Sequence, residues 1–195
     1  MSSREDILAR VRMNQPAPTT LPVMPAFEAD AAVLFERFKA AVVRMGGNVV
    51  DAPADGSLDA LIGRLFPDAK VICSATPEVS GNRGLDQARR PSELDDVDVG
   101  VVRAVYGVAE TGSVWLTDAQ FKVPALGFLA QHLVVLLDPG RIVENLHHAY
   151  RERNQFDARY GVFMTGPSAT ADIEGVLIHG AQGIRTLTIV VVAPS

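Results

Sequence analysis

Two short runs constrain what this chain can fold into more than any other feature: Leu133 to Leu137, and Thr186 to Val192 at the end of the sequence. Both have strand length. The first is apolar throughout and the second closes on Ile-Val-Val-Val, without the polar alternation of a half-solvated strand. A strand that is apolar on both faces must be covered on both, which is the place of a central strand in a parallel sheet. The preceding pattern agrees. Phe27, Ala31, Leu34, Phe35, Phe38, Ala41, Val42 and Met45 recur at helical spacing until Gly46-Gly47, which predicts a helix and its stop. Val49-Val50 reads as a strand, Leu58, Leu61, Ile62 and Leu65 as a second helix ended by Pro67, and Val71-Ile72-Cys73 as the next strand. This alternation predicts an α/β fold of three layers, α/β/α, with a largely parallel central sheet.

Further along, Val97 to Val102 and Ser113 to Leu116 read as strands flanking a turn, with a long loop over residues 76–95 before them. Pro139 is expected to begin a helix carrying Ile142, Val143, Leu146 and Tyr150. Tyr160 to Met164 reads as a strand, followed by a short helix through about Ile178. At the other end, Ser2 or Ser3 is placed to cap a short helix reaching about Met13. Pro16, Pro18, Pro22 and Pro25 then forbid its continuation. Residues 1–26 are therefore expected to form a helical, Pro-rich arm, and residues 27–195 one α/β domain.

Charge and residue usage exclude several function classes. The formal net charge of −5 gives no basic excess for a nucleic-acid backbone, and Arg83, Arg89 and Arg90 read as a solvated edge. The single cysteine, Cys73, rules out a disulfide within the chain and a thiolate-held iron–sulfur cluster. The N-terminus lacks the apolar segment of a signal peptide, and no run has the length of a membrane span, so a cytoplasmic protein is expected. His147 and His148 are adjacent, point to different faces of a helix, and make no metal pair. No dinucleotide fingerprint, phosphate loop or nucleophile elbow is present. No resident cofactor is expected.

Three segments could carry chemistry. In Tyr106 to Ser113, Glu110 stands between apolar strands, with Gly107 and Gly112 allowing sharp backbone geometry. Its carboxylate is either held by turn amides or raised in pKa for work. In the second segment a strand enters Thr165-Gly166-Pro167-Ser168-Ala169-Thr170 and a helix is expected to leave it, so that Thr165, Gly166, Ser168 and Thr170 would cradle a small anion. Ordinary capping by Ser168 or Thr170 is the plainer alternative. The third, His179 to Arg185, sets Arg185 just before the last strand. If that strand runs parallel to Tyr160–Met164, Arg185 sits at the edge opposite the Gly-Pro turn, as a structural ion-pair residue rather than a ligand for the same anion.

Taken together, Gly107-Val108-Ala109-Glu110-Thr111-Gly112-Ser113, Thr165 to Glu174, and Gly180 to Arg185 resemble the lactate-utilisation protein C (LUD-domain) family in order and spacing. Two positions depart from its pattern: Ala169, where a basic residue is frequent, and Gln182, where a histidine is frequent. The resemblance implies a fold similar to the ribose-5-phosphate isomerase, glucosamine-phosphate deaminase and CoA-transferase group. It implies a non-redox part in oxidising L-lactate to pyruvate, beside two iron–sulfur partner proteins. The related CoA-transferases use a turn Glu as nucleophile. The alternative is thus an independent enzyme for a phosphorylated or CoA-linked small molecule, with Glu110 as base or nucleophile.

Overall fold

The computed structural model describes residues 3–20, 22–23, 25, 33–151, 157–167, 169–171, 177–179 and 183–193. Helix α1 (Ser3–Met13) has acidic Glu5 and Asp6 in its first turn and Arg10 and Arg12 in its last, and buries no residue. In helix α2 (Leu34–Arg44), Phe38, Ala41 and Val42 form the buried stripe. Its expected start at Phe27 lies outside the described residues. The helix stops as its sequence dictates: Gly46 takes φ 83°, and its N–H donates to Val43 O at 2.9 Å.

Strand β1 (Asn48–Asp51), helix α3 (Leu58–Leu65) and strand β2 (Ile72–Ser74) follow in the expected alternation. With β3 (Val99–Arg103), β6 (His132–Leu137) and β11 (Thr186–Val191) they form a five-stranded parallel sheet in the order β1-β11-β6-β3-β2. α3 carries the chain from one edge strand to the other. The later strands then fill the middle, stepping back from β2.

The sheet is buried on both faces, and strict alternation divides its side chains. Val99, Val101, Val134, Leu136 and Val190 pack with Leu58, Leu61 and Ile62 of α3. Val102, Leu133, Val135, Leu137, Leu187 and Ile189 face the other way, onto Phe38 and Val42 of α2. Cys73 is fully buried in β2, and that burial pushes its thiol pKa up.

The second flank is only partly helical. Besides α2 and the short helices α4 (Asp118–Phe121) and α5 (Leu126–Leu129), it holds a four-stranded mixed sheet, β7-β4-β5-β8. These strands are β4 (Tyr106–Val108), β5 (Ser113–Thr117), β7 (Ile142–Val143) and β8 (Gly161–Met164). The strands read as flanking one turn, β3 and β5, thus belong to different sheets. Gly107-Val108, read as turn, is strand, and the turn itself covers residues 109–112.

The helix expected from Pro139 is corrected too. Pro139–Arg141 is one 3-10 turn, with Gly140 N donating to Asp138 Oδ1 at 2.8 Å. Ile142-Val143 then pair in parallel with Gly107-Val108, where β-branched side chains suit a pleated surface. Only α6 (Leu146–Ala149) is helical, capped by Asn145 Oδ1 accepting from His148 N at 3.0 Å.

The helix expected after the Gly-Pro turn is replaced by strands. β9 (Ala169–Ala171) and β10 (Leu177–His179) pair antiparallel. The described residues of this segment have taken the extended form, and among them no helix follows the turn.

Candidate functional site

Of the residues singled out from the sequence, Gly107, Gly112 and Gly166 lie against α2 and its C-cap. Gly112 sits at φ 69°, and a methyl group there would lie 2.5 Å from Val42 N. Gly166, at φ 65°, would place one 2.2 Å from Met45 O. Gly107 admits the Phe38 ring, 2.9 Å from where its Cβ would stand. These glycines therefore let the second sheet approach α2. Thr165 Oγ1 is 2.5 Å from Ser113 Oγ, which is 2.7 Å from Thr111 Oγ1. The Thr165 hydroxyl is thus engaged within the protein. Thr170 lies in β9 and Ser168 outside the described residues. Ala169–Ala171 is thus strand, not the first turn of a helix after the Gly-Pro turn.

Glu110 is exposed on the turn between β4 and β5. Its N–H donates to Glu144 O at 3.0 Å, and its Oε2 accepts from Leu146 N at 3.1 Å. The amide that holds this carboxylate belongs to the first residue of α6, not to the turn that carries Glu110. Of the three clustered arginines, Arg83 is tied to Asp96 and donates to Glu93 O at 2.5 Å. Arg185 precedes β11 at the amino edge of the parallel sheet, whereas β8 belongs to the mixed sheet, and Arg185 forms no ion pair with a carboxylate among the described residues. Among the described residues, no group of three or more His, Cys, Asp or Glu side chains is arranged to hold a metal ion.

Ligands of open parallel sheets bind beyond the carboxyl ends of the strands. At that edge the chain changes sheets. Ala104 N still donates to Leu136 O of the parallel sheet at 2.9 Å, whereas Val105 N donates to Trp115 O of the mixed sheet at 3.1 Å. The switch opens a groove. Its inner part, about 350 Å3, is lined by Thr76, Glu78, Arg103 and Gln120. Its outer part, about 450 Å3, is lined by Tyr106, Trp115, Thr117, Arg141 and Arg159. Val105, Ala119 and Gln120 border both.

Local structure sets each polar group. Ser74, ending β2, donates from Oγ to Thr76 O at 2.9 Å and accepts from Thr76 N at 3.1 Å. The turned loop brings Glu78 against Arg103, the last residue of β3. Arg103 Nε donates to Glu78 Oε1 at 2.7 Å, and a terminal guanidinium nitrogen reaches the same oxygen at 2.5 Å. Burial alone would raise the Glu78 carboxyl. Hydrogen bonds from its own backbone N–H and from Arg103, with the Arg103 charge, outweigh it and hold the group below the usual range. Glu78 Oε2 is buried without a hydrogen-bond partner among the described residues. Across the groove, Gln120 Oε1 accepts from Thr117 Oγ1 at 2.6 Å and Thr117 N at 3.2 Å, capping α4.

Arg103 is thus a guanidinium fixed on one side, with its remaining donors available. That is the arrangement which recognises a carboxylate by paired hydrogen bonds. Sequence reasoning missed this site because its residues come from five separate stretches and form no local motif. The one signal was a charged residue closing the apolar run Val99 to Val102.

Comparison with known proteins fits this architecture. The LUD domain profile matches residues 82–192. Lactate utilization protein C of a Geobacillus species is 26% identical over 176 residues, covering 85% of this chain and 70% of that protein. The uncharacterized protein YkgG of Escherichia coli is 30% identical over 103 residues, 49% of this chain and 44% of YkgG. The crystal structure of a DUF162 family protein from Deinococcus radiodurans superimposes with a TM-score of 0.66 at 16% identity, covering 85% of this chain and all of that one. The profile spans more than half of the sequence, and the chain belongs to the LUD domain family.

Proposed function

We propose that this protein serves in lactate utilisation as a non-redox component, working beside two iron–sulfur proteins that carry the electrons. The observation that supports the reading most is the similarity to lactate utilization protein C over 85% of the chain. The chemistry gives the division of labour. Removing two electrons from a 2-hydroxy acid needs a nicotinamide, a flavin or a metal centre as acceptor. The one cysteine of this chain is sealed inside β2, and one thiolate cannot hold a cluster. In this reading the carboxyl-edge groove takes a small organic acid, its carboxylate on Arg103, and the acceptor lies on another protein.

The test has two arms. The isolated chain, given L-lactate and an artificial electron acceptor, should show no turnover and no flavin or iron absorption. The tagged chain recovered from lactate-grown cells should bring cluster-bearing proteins with it. Turnover by the chain alone, or recovery without any such partner, would overturn the proposal.

A further inference from the structure

A second concavity lies at the opposite end of the parallel sheet, where its strands begin. Its volume is about 800 Å3, larger than either part of the carboxyl-edge groove. Strand register builds one wall. Asn48 of β1 stands beside Thr188 of β11, and Thr186 of β11 beside His132 of β6. All four line the cavity. Farther along the same face the alternation delivers only Val190, Leu136 and Val134. A polar corner has been placed at the end of an apolar face.

Three observations on these side chains point to a ligand. Thr188 is only 4% exposed, yet its hydroxyl has no hydrogen-bond partner among the described residues. The ring of His132 is fixed, with Nδ1 2.8 Å from Thr186 Oγ1 and its face against Phe66 at a centroid distance of 4.7 Å. Nε2 is then the nitrogen left to act. Arg185 at the lip is exposed and pairs with no carboxylate among the described residues. Beside these groups the wall is apolar. Val43 of α2 and Leu65 of α3, 62% and 36% exposed, both border the same space.

We propose that this amino-edge cavity binds a short-chain monocarboxylate, its carboxylate held by Arg185 and His132 Nε2 and its aliphatic body against Val43, Leu65 and Phe66. Charge selects the monoanion. Burial and the Arg185 charge push His132 below its ordinary value, with Asp98 partly opposing, so the ring is neutral at pH 7. Arg185 is then the cation facing the ligand. Asp68 and Asp98 stand on the rim, Asp98 already accepting from Lys70 N and Val71 N at 2.7 and 2.9 Å. Two carboxylates against one guanidinium disfavour a dianion such as sulfate. This site is separate from the carboxyl-edge groove and does not depend on what occupies it.

The probe is sodium butyrate, with sodium sulfate and n-butanol as comparisons, applied to the full chain. Butyrate should raise the melting temperature saturably. It should also move the His132 imidazole titration to higher pH, because a bound carboxylate favours the imidazolium. Sulfate and butanol should do neither. Arg185→Gln, a change at an exposed position, should leave the unliganded melting temperature intact and weaken butyrate by about tenfold or more. Thr188→Val, close in shape but without the hydroxyl, should weaken it by about threefold to tenfold. The proposal is overturned if His132 titrates identically in saturating butyrate, if Arg185→Gln binds it equally well, or if sulfate matches butyrate.

Discussion

At Gly166, one hydrogen in place of a methyl group decides whether the turn after β8 can meet α2. Gly166→Ala must both hold a φ of 65° and push aside a backbone carbonyl 2.2 Å away. It should cost about 3 kcal/mol in urea unfolding. Gly63→Ala is the counterpart. Gly63 lies inside α3 with no heavy atom within 4 Å of an added Cβ, and the change should stabilise by roughly 0.5–1 kcal/mol. Equal effects at the two positions would contradict the packing described for Gly166. His132 makes a pH prediction. Its folded-state pKa lies below the ordinary 6.5, so between those two values the unfolded chain binds more protons. Stability should therefore fall as pH drops below about 6.5 and level off beneath the depressed value. In His132→Gln this slope, read from urea midpoints between about pH 7 and 5, should vanish. The more acidic loss from Asp98, held low first by the Val71 and Lys70 amides, should persist. At this scale the sequence was half legible. It drew attention to Gly107, Gly112, Thr165 and Gly166, but a glycine needed for a turn and one needed for a neighbouring helix look alike in one dimension. Only the α2 contacts tell that these serve packing.

Among the elements, α1 stands apart: none of its residues is buried, and an isolated helix of this length is marginal in water. Removing residues 1–25 should change unfolding stability by less than about 0.5 kcal/mol, and limited proteolysis should cut first within residues 14–25. Initial cleavage between Tyr106 and Ser113, or a large loss of stability on truncation, would reject the division into arm and domain. Elements with strong apolar periodicity were readable. Phe38, Ala41 and Val42, and Leu58, Leu61 and Ile62, lie inward as their spacing demands. Short elements were not. The stretch after Pro139 shows apolar residues at helical intervals, yet Ile142 and Val143 are claimed by hydrogen bonds to β4, a partner more than thirty positions away. Ala169–Ala171 likewise owes its form to Leu177–His179. Tertiary pairing overrides local preference where an element is only two to four residues long.

For the whole molecule, the parallel sheet was legible because its central strands are apolar on both faces, a condition few other architectures meet. The mixed sheet was hidden. Its strands are inserted within the crossovers β3 to β6 and β6 to β11, and adjacency in sequence suggested a hairpin where the chain instead changes layers at Val105. The carboxyl-edge groove inherits that obscurity, since it exists only where the two sheets diverge. Glu78, Arg103, Gln120 and Arg159 are brought to one groove by this junction and by nothing in their spacing.

Strand order also carries a consequence for how the protein comes into being. β11, the last strand described, lies second in the sheet, between β1 and β6. As the polypeptide leaves the ribosome, the early strand β1 has no neighbour to pair with until residues 186–191 have been synthesised. Until then one flank of β6 presents its amides and carbonyls along an apolar ribbon, the kind of surface that seeds association between nascent chains. Translation that stalls shortly before Thr186 would leave that ribbon uncovered, and recruitment of chaperones should be greatest there. Insertion of β11 is the event that converts an adhesive intermediate into a closed sheet.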